Sequence, residues 1–145
     1  MHISGNTILI TGGGSGIGLA LLRQLYYEGN NLILTGRNEK TLQSVKKEFP
    51  NISIFQCDLF DPEDINNLLD TCQKAFKTIN ICVANAGIQG MYAQQQPGIK
   101  IRKLKDTENL KIISPIRLIY GLIPLISKNK NPAIVLVSHG LKLSE

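Results

Sequence analysis

The 145-residue sequence has no tryptophan and only three cysteines, and none of its apolar runs approaches the roughly 18 residues that cross a bilayer. A membrane span is therefore not expected. The start, MHISGNTILITGGG, lacks the basic n-region and long apolar stretch of a secretory leader. Cys57, Cys72 and Cys82 cannot all pair with one another, which points to a reducing cytoplasm rather than a disulfide framework. Length excludes a nucleotide domain joined to a separate substrate domain, so residues 1–145 are expected to form one domain. The few aromatics, 6% of residues, are not interleaved with basic ones, which removes the stacking platform of a single-strand nucleic-acid binder.

What is present is a globular balance, 43% hydrophobic and 19% charged, with a formal charge of +5. The basic residues concentrate at Lys46 and Lys47, in a polar helical stretch, and at Lys100, Arg102, Lys103 and Lys105 in GIKIRKLKD. Both groups read as solvated surface, and no nucleic-acid partner is expected.

Five apolar, β-rich runs recur: NTILIT (6–11), NLILTG (31–36), ISIFQC (52–57), INICVA (79–84) and AIVLVS (133–138). Near-continuous hydrophobicity over so few residues predicts strands buried on both faces. Between them lie segments of helical period: GIGLALLRQLYYEG, with Ile17, Leu21 and Leu25 on one face and Gly29 at its end, then NEKTLQSVKKEF, DPEDINNLLDTCQKAF and ENLKIISPIRLIYGLIPLIS. The order βαβαβαβαβ with right-handed crossovers predicts an α/β fold, a doubly wound parallel sheet of about five strands in the order 3-2-1-4-5. Residues 89–106, QGMYAQQQPGIKIRKLKD, fit no element and are expected to be a surface excursion.

After the first strand comes TGGGSGIG, Thr11 to Gly18. Glycines let the chain turn out of a strand and approach a pyrophosphate while the next helix aims its N–H groups at the anion. Gly12 is expected to make the turn, Gly16 the close approach and Gly18 the helix packing, with Gly14, Ser15 and Ile17 in the same loop. At the end of the second strand, LTGRN offers Gly36 and Arg37 where an acidic residue would accept the ribose hydroxyls of NAD. A guanidinium there suits the 2′-phosphate of NADP, so NADP is expected in preference to NAD.

These pieces resemble the short-chain dehydrogenases/reductases, Rossmann-like oxidoreductases. TGGGSGIG matches that family's TGxxxGIG; Asp58 in QCDLF is similar to its aspartate after the third strand, with Leu59 beside it; and ANAG, Ala84 to Gly87, is similar to its NNAG. The resemblance implies that Asp58 lies near the adenine and that Asn85, Ala86 and Gly87 line the adenosine side of the cleft and steady the central strand. SPIRL (114–118) also resembles a bacterial subset of the family. The activity implied is hydride transfer between nicotinamide and a carbonyl or alcohol carbon. A tyrosine acts there as general acid or base, assisted by a lysine, a serine and an asparagine.

Within residues 1–145 that catalytic set is not found. None of Tyr26, Tyr27, Tyr92 and Tyr120 is followed by lysine at i+4. In VLVSHG (135–140) the alignment puts His139 at the catalytic serine position, with Ser138 on the other face of the strand. Counting back from Pro115, Lys111 stands where the asparagine is expected. Relative to the family the chain is expected to be C-terminally incomplete. The expectation is thus an NADP(H)-binding protein that is not catalytic as this chain. The alternatives are an oxidoreductase completed by a second polypeptide or a longer chain, and a nucleotide-sensing or interaction pseudoenzyme. An uncovered fifth strand and an apolar fourth helix further suggest a homo-oligomer, formed through the 107–127 helix, with Ile113, Ile116, Ile119, Leu122 and Ile123, or through that strand.

Overall fold

The computed structural model describes residues 2–85 and 116–137. In chain order these form β1 (Thr7–Thr11), α1 (Gly16–Tyr27), β2 (Asn31–Gly36), α2 (Glu39–Glu48), β3 (Ser53–Gln56), α3 (Pro62–Ala75), β4 (Ile81–Ala84), a helix α4 over residues 116–126, and β5 (Ala133–Leu136). The sheet order is β3-β2-β1-β4-β5 and every neighbouring pair is parallel, as expected from the sequence.

Side chains alternate across the strands and so build one core on each face. On one face Leu9, Ile33, Cys57 and Cys82 pack against Ile65, Leu68 and Cys72 of α3 and Leu118, Leu122 and Ile126 of α4. On the other, Ile8, Ile10, Leu32, Leu34, Ile81 and Val83 pack against Leu22 of α1 and Leu42 and Val45 of α2. Each fully buried leucine or isoleucine contributes about 1.5–3 kcal/mol over its exposed state, which makes the central strands the least replaceable part of the chain.

Four expectations need correction. Ile17 does not share a buried face with Leu21 and Leu25: it is 52% exposed, and the buried positions of α1 are Gly18 and Leu22. The buried stripe of α1 is displaced by one residue from the expected one, with Leu21 and Leu25 only partly buried beside it. β5 is not covered on both faces, since Ile134 and Leu136 are 38% and 66% exposed and, among the described residues, no helix lies over them. Leu122 does not belong to an outward face; it is buried in the core against α3, while Ile116, Tyr120 and Ile123 are exposed. Finally, Lys46 is not a freely solvated charge: its Nζ donates to the carbonyl of Ile52 at 2.6 Å and so ties the end of α2 to the chain entering β3. Ile113, Lys111, Ser138, His139, the 89–106 segment and its basic cluster lie outside the described residues.

At the amino edge of the sheet the strands are joined by asparagine amides. Asn80, 7% exposed, accepts from the Thr7 N–H at 3.0 Å and donates to Asn6 Oδ1 at 2.9 Å and the Lys130 carbonyl at 3.0 Å. One side chain thereby satisfies backbone and side-chain groups from two other segments, the entry to β1 and the approach to β5.

The three cysteines are buried and unpaired. Burial, aided by Asp64, pushes the Cys57 thiol up from 9.0 to about 12. Burial alone raises Cys72 to about 11, and burial with Cys72 nearby raises Cys82 to about 12. Folded thiols thus keep protons that unfolded thiols release above pH 9.0, so stability falls as pH rises from there toward about 12. A disulfide-exchange reagent at about pH 8 is expected to label none of them in the native protein and all after unfolding. Rapid native labelling would show that the cores open readily.

Candidate functional site

Four sequence segments were singled out for ligand contact, and each follows a strand at the carboxyl edge of the sheet: the turn after β1, the turn after β2, the turn after β3 and the segment after β4, of which Asn85 is described. In an open parallel sheet the order reverses between β1 and β4, and this switch point leaves a crevice between the outgoing loops.

The glycine turn is shaped by its backbone. Gly12 and Gly16 have φ of +66° and +55°, the left-handed region that side chains disfavour. Gly12 N–H donates to the Thr35 carbonyl at 3.0 Å, extending the β1–β2 ladder into the turn. Asn85, which follows β4, clamps the turn from the other side: its Nδ2 donates to the Gly12 carbonyl at 3.0 Å and its N–H to Thr11 Oγ1 at 3.1 Å. Gly18 sits where these parts converge. A Cβ there would come within 2.5 Å of Asn85 Nδ2 and 2.6 Å of the Gly12 carbonyl oxygen. A Cβ on Gly14 would press on the Thr41 methyl at 2.6 Å.

The three amino-terminal caps differ in a way that bears on ligands. Asn38 caps α2 through the Thr41 N–H, with Glu39 in the first turn; Asp61 caps α3 through the Glu63 N–H, with Glu63 and Asp64 following. The N-cap of α1 is Ser15, whose side chain makes no cap bond, and no acidic residue occupies the first turn. The positive end of its dipole thus has neither a side-chain cap from Ser15 nor an acid in its own first turn, next to the glycine turn. Exposed Ile17 lies on the same turn.

Across the crevice, Arg37 is exposed, and Gln56 Nε2 donates to its carbonyl at 3.1 Å. The turn after β3 is internally braced: Asp58 N–H donates to Asp64 Oδ2 at 2.8 Å, and Asp58 Oδ1 accepts from the Phe60 N–H at 2.9 Å. Leu59 points its side chain into the core at 7% exposure, so only its backbone can face a ligand. The Thr35 hydroxyl is buried without a partner of good hydrogen-bond geometry, the Cys57 thiol being its polar neighbour. Ala86 and Gly87 lie outside the described residues.

Comparison with known proteins agrees with this geometry. Residues 6–141 match the family described as short chain dehydrogenase. The chain belongs to that family. Within the short chain dehydrogenases it is 36% identical over 141 residues to an uncharacterized oxidoreductase, DltE, of Bacillus subtilis (strain 168), covering 97% of this chain and 56% of the relative. It is 29% identical to a fatty acyl-CoA reductase of Acinetobacter baylyi, over 94% of this chain and 48% of that protein. The crystal structure of L-sorbose reductase from Gluconobacter frateurii, complexed with NADPH and L-sorbose, superposes with a TM-score of 0.72 at 27% identity, covering 94% of this chain and 53% of that one. The chain therefore spans about half the length of the short chain dehydrogenases it matches.

A dinucleotide fits the carboxyl edge on the structure's own terms. The turn has left-handed glycines, the Gly18 position excludes a side chain, and the first turn of α1 has neither a side-chain cap nor an acidic residue. Several contributors were not singled out in the sequence: Thr11, Gln56, Phe60 and Asp64. Phe60 offers a signal, an aromatic two residues beyond the aspartate of CDLFD; Asp64 and Gln56 offer none, because their partners are set by how two turns fold together.

Proposed function

We propose that this chain is the NADP(H)-binding portion of a short-chain dehydrogenase/reductase-type oxidoreductase and does not transfer hydride by itself, residues 1–145 acting as one dinucleotide-binding unit. The observation that carries the reading is the uncapped α1 terminus held against a glycine turn by Asn85. Gly12, Gly14, Ser15, Gly16, Ile17 and Gly18 would hold the pyrophosphate side. Arg37 would meet the 2′-phosphate, with Gly36 leaving the room that an acidic side chain would take, and NADP is preferred over NAD on that ground. Asp58 and the Leu59 backbone would face the adenine, and Asn85, Ala86 and Gly87 the adenosine side. When bound, the nicotinamide supplies hydride chemistry. The residues of this chain supply binding and orientation.

No catalytic role is assigned to any residue. Tyr120, 71% exposed on α4, has no lysine at i+4, and His139 and Lys111 stand at the serine and asparagine positions of the family. The greater length of the relatives favours a second reading, an oxidoreductase whose tyrosine and lysine come from further polypeptide. Incubating the pure chain with NADPH and simple ketones or aldehydes separates the two. The expected result is no NADPH oxidation above the protein-free rate; turnover by this chain alone refutes the proposal.

Three buried free thiols suit a reducing cytoplasmic setting, and among the described residues no helix is long and apolar enough to cross a membrane. Exposed Ile116, Tyr120 and Ile123 on α4, with Ile134 and Leu136 on β5, support self-association. Sedimentation equilibrium is expected to give a mass above the 16.0 kDa monomer. A strictly monomeric sample would remove that part of the reading.

A further inference from the structure

The guanidinium of Arg37 lies over the ring of Phe60, its Cζ 5.6 Å from the ring centroid. Four carboxylates stand nearby in sequence, at Asp58, Asp61, Glu63 and Asp64, yet among the described residues the only ion pair is Arg23 with Glu48. The reason is visible in the turn. Asp58 Oδ1 is taken by the Phe60 N–H, Asp61 Oδ1 by the Glu63 N–H, and Asp64 Oδ2 by the Asp58 N–H. Three of the four acids, Asp58, Asp61 and Asp64, are turned back on their own backbone, and an aromatic face meets the arginine instead. This matters because a ring attracts a guanidinium through its face and consumes none of the in-plane N–H donors. A carboxylate would occupy the same donors that a phosphate needs. Phe60 is itself fixed, since its N–H is bonded to Asp58, and the Arg37 backbone is held by Gln56.

We infer that Phe60 is a positioning residue that presents the Arg37 guanidinium to the 2′-phosphate, and so contributes to selection of NADP(H) over NAD(H). The inference rests on the NADP(H) reading above. Phe60 acts through Arg37, so its removal changes the phosphate-bearing ligand and spares the other.

The test is calorimetric titration of the 145-residue protein with NADPH and with NADH. Phe60→Leu, which keeps an apolar side chain without a ring face, and Phe60→Ala are expected to weaken NADPH by about two- to fivefold and leave NADH unchanged. Phe60→Tyr restores the wild-type ratio. In an Arg37→Ala background, Phe60→Leu changes the ratio no further. Equal losses for both ligands would mean that the ring merely supports the turn or touches the adenine, and would overturn the inference. So would an unchanged NADPH to NADH ratio in both Phe60→Leu and Phe60→Ala while the wild type prefers NADPH. A wild type without preference for NADPH instead sinks the NADP(H) reading, and the role of Phe60 with it.

Discussion

Gly18→Ala is expected to destabilise the protein by about 2–3 kcal/mol and to weaken dinucleotide binding by about tenfold or more in the fraction that folds. Helix propensity argues the other way, since alanine in a helix is favoured over glycine by about 1 kcal/mol. Packing decides the sign. The added Cβ would sit 2.5 Å from Asn85 Nδ2, 2.6 Å from the Gly12 oxygen and 2.9 Å from the Gly13 Cα. Two of these neighbours are backbone and cannot swing aside, so the turn must move or the Asn85 clamp must break, forfeiting a hydrogen bond of about 1 kcal/mol. Fold and site share this point, which is why one methyl group damages both. Denaturant unfolding together with NADPH titration checks it; an alanine variant as stable and as tight as wild type would show that the turn is loosely held.

Asn80→Ala is expected to cost about 3 kcal/mol, read as a lowered denaturant midpoint at unchanged slope. The truncation leaves the buried Thr7 N–H without its acceptor and removes the donor to Asn6 Oδ1 and the Lys130 carbonyl. Asn80 precedes β4 and Asn85 follows it, so the two asparagines hold opposite edges of the sheet. NADPH affinity of folded Asn80→Ala is accordingly expected to match wild type, in contrast to Gly18→Ala. A loss below about 1 kcal/mol would mean that water replaces the amide at little cost.

The strands, their order and most helix limits were legible because short apolar runs, helical periods and a glycine turn each point to one local structure. What escaped the sequence was mostly a matter of which of two apolar stripes faces inward. The segment carrying Ile116, Leu118, Ile119, Leu122, Ile123 and Ile126 is apolar nearly all round, and the core it joins, formed by the sheet face and α3, selects Leu118, Leu122 and Ile126 for burial. Ile17 was misplaced because periodicity alone does not tell which of two adjacent stripes, Ile17 with Leu21 or Gly18 with Leu22, is buried. In the candidate site, glycines were readable since their chemistry is backbone chemistry. The Arg37–Phe60 contact was not, because it joins two turns whose proximity depends on β2 pairing with β3.

The central claim is that the carboxyl edge of this sheet holds NADP(H). Because the chain has no tryptophan to report on a bound nicotinamide, calorimetry is the direct measurement. Titration of the wild-type protein with NADPH, repeated with NADH, is expected to show saturable binding of one ligand per chain and tighter binding of NADPH. No measurable heat of binding with either ligand, at concentrations where the protein is folded, would contradict the account.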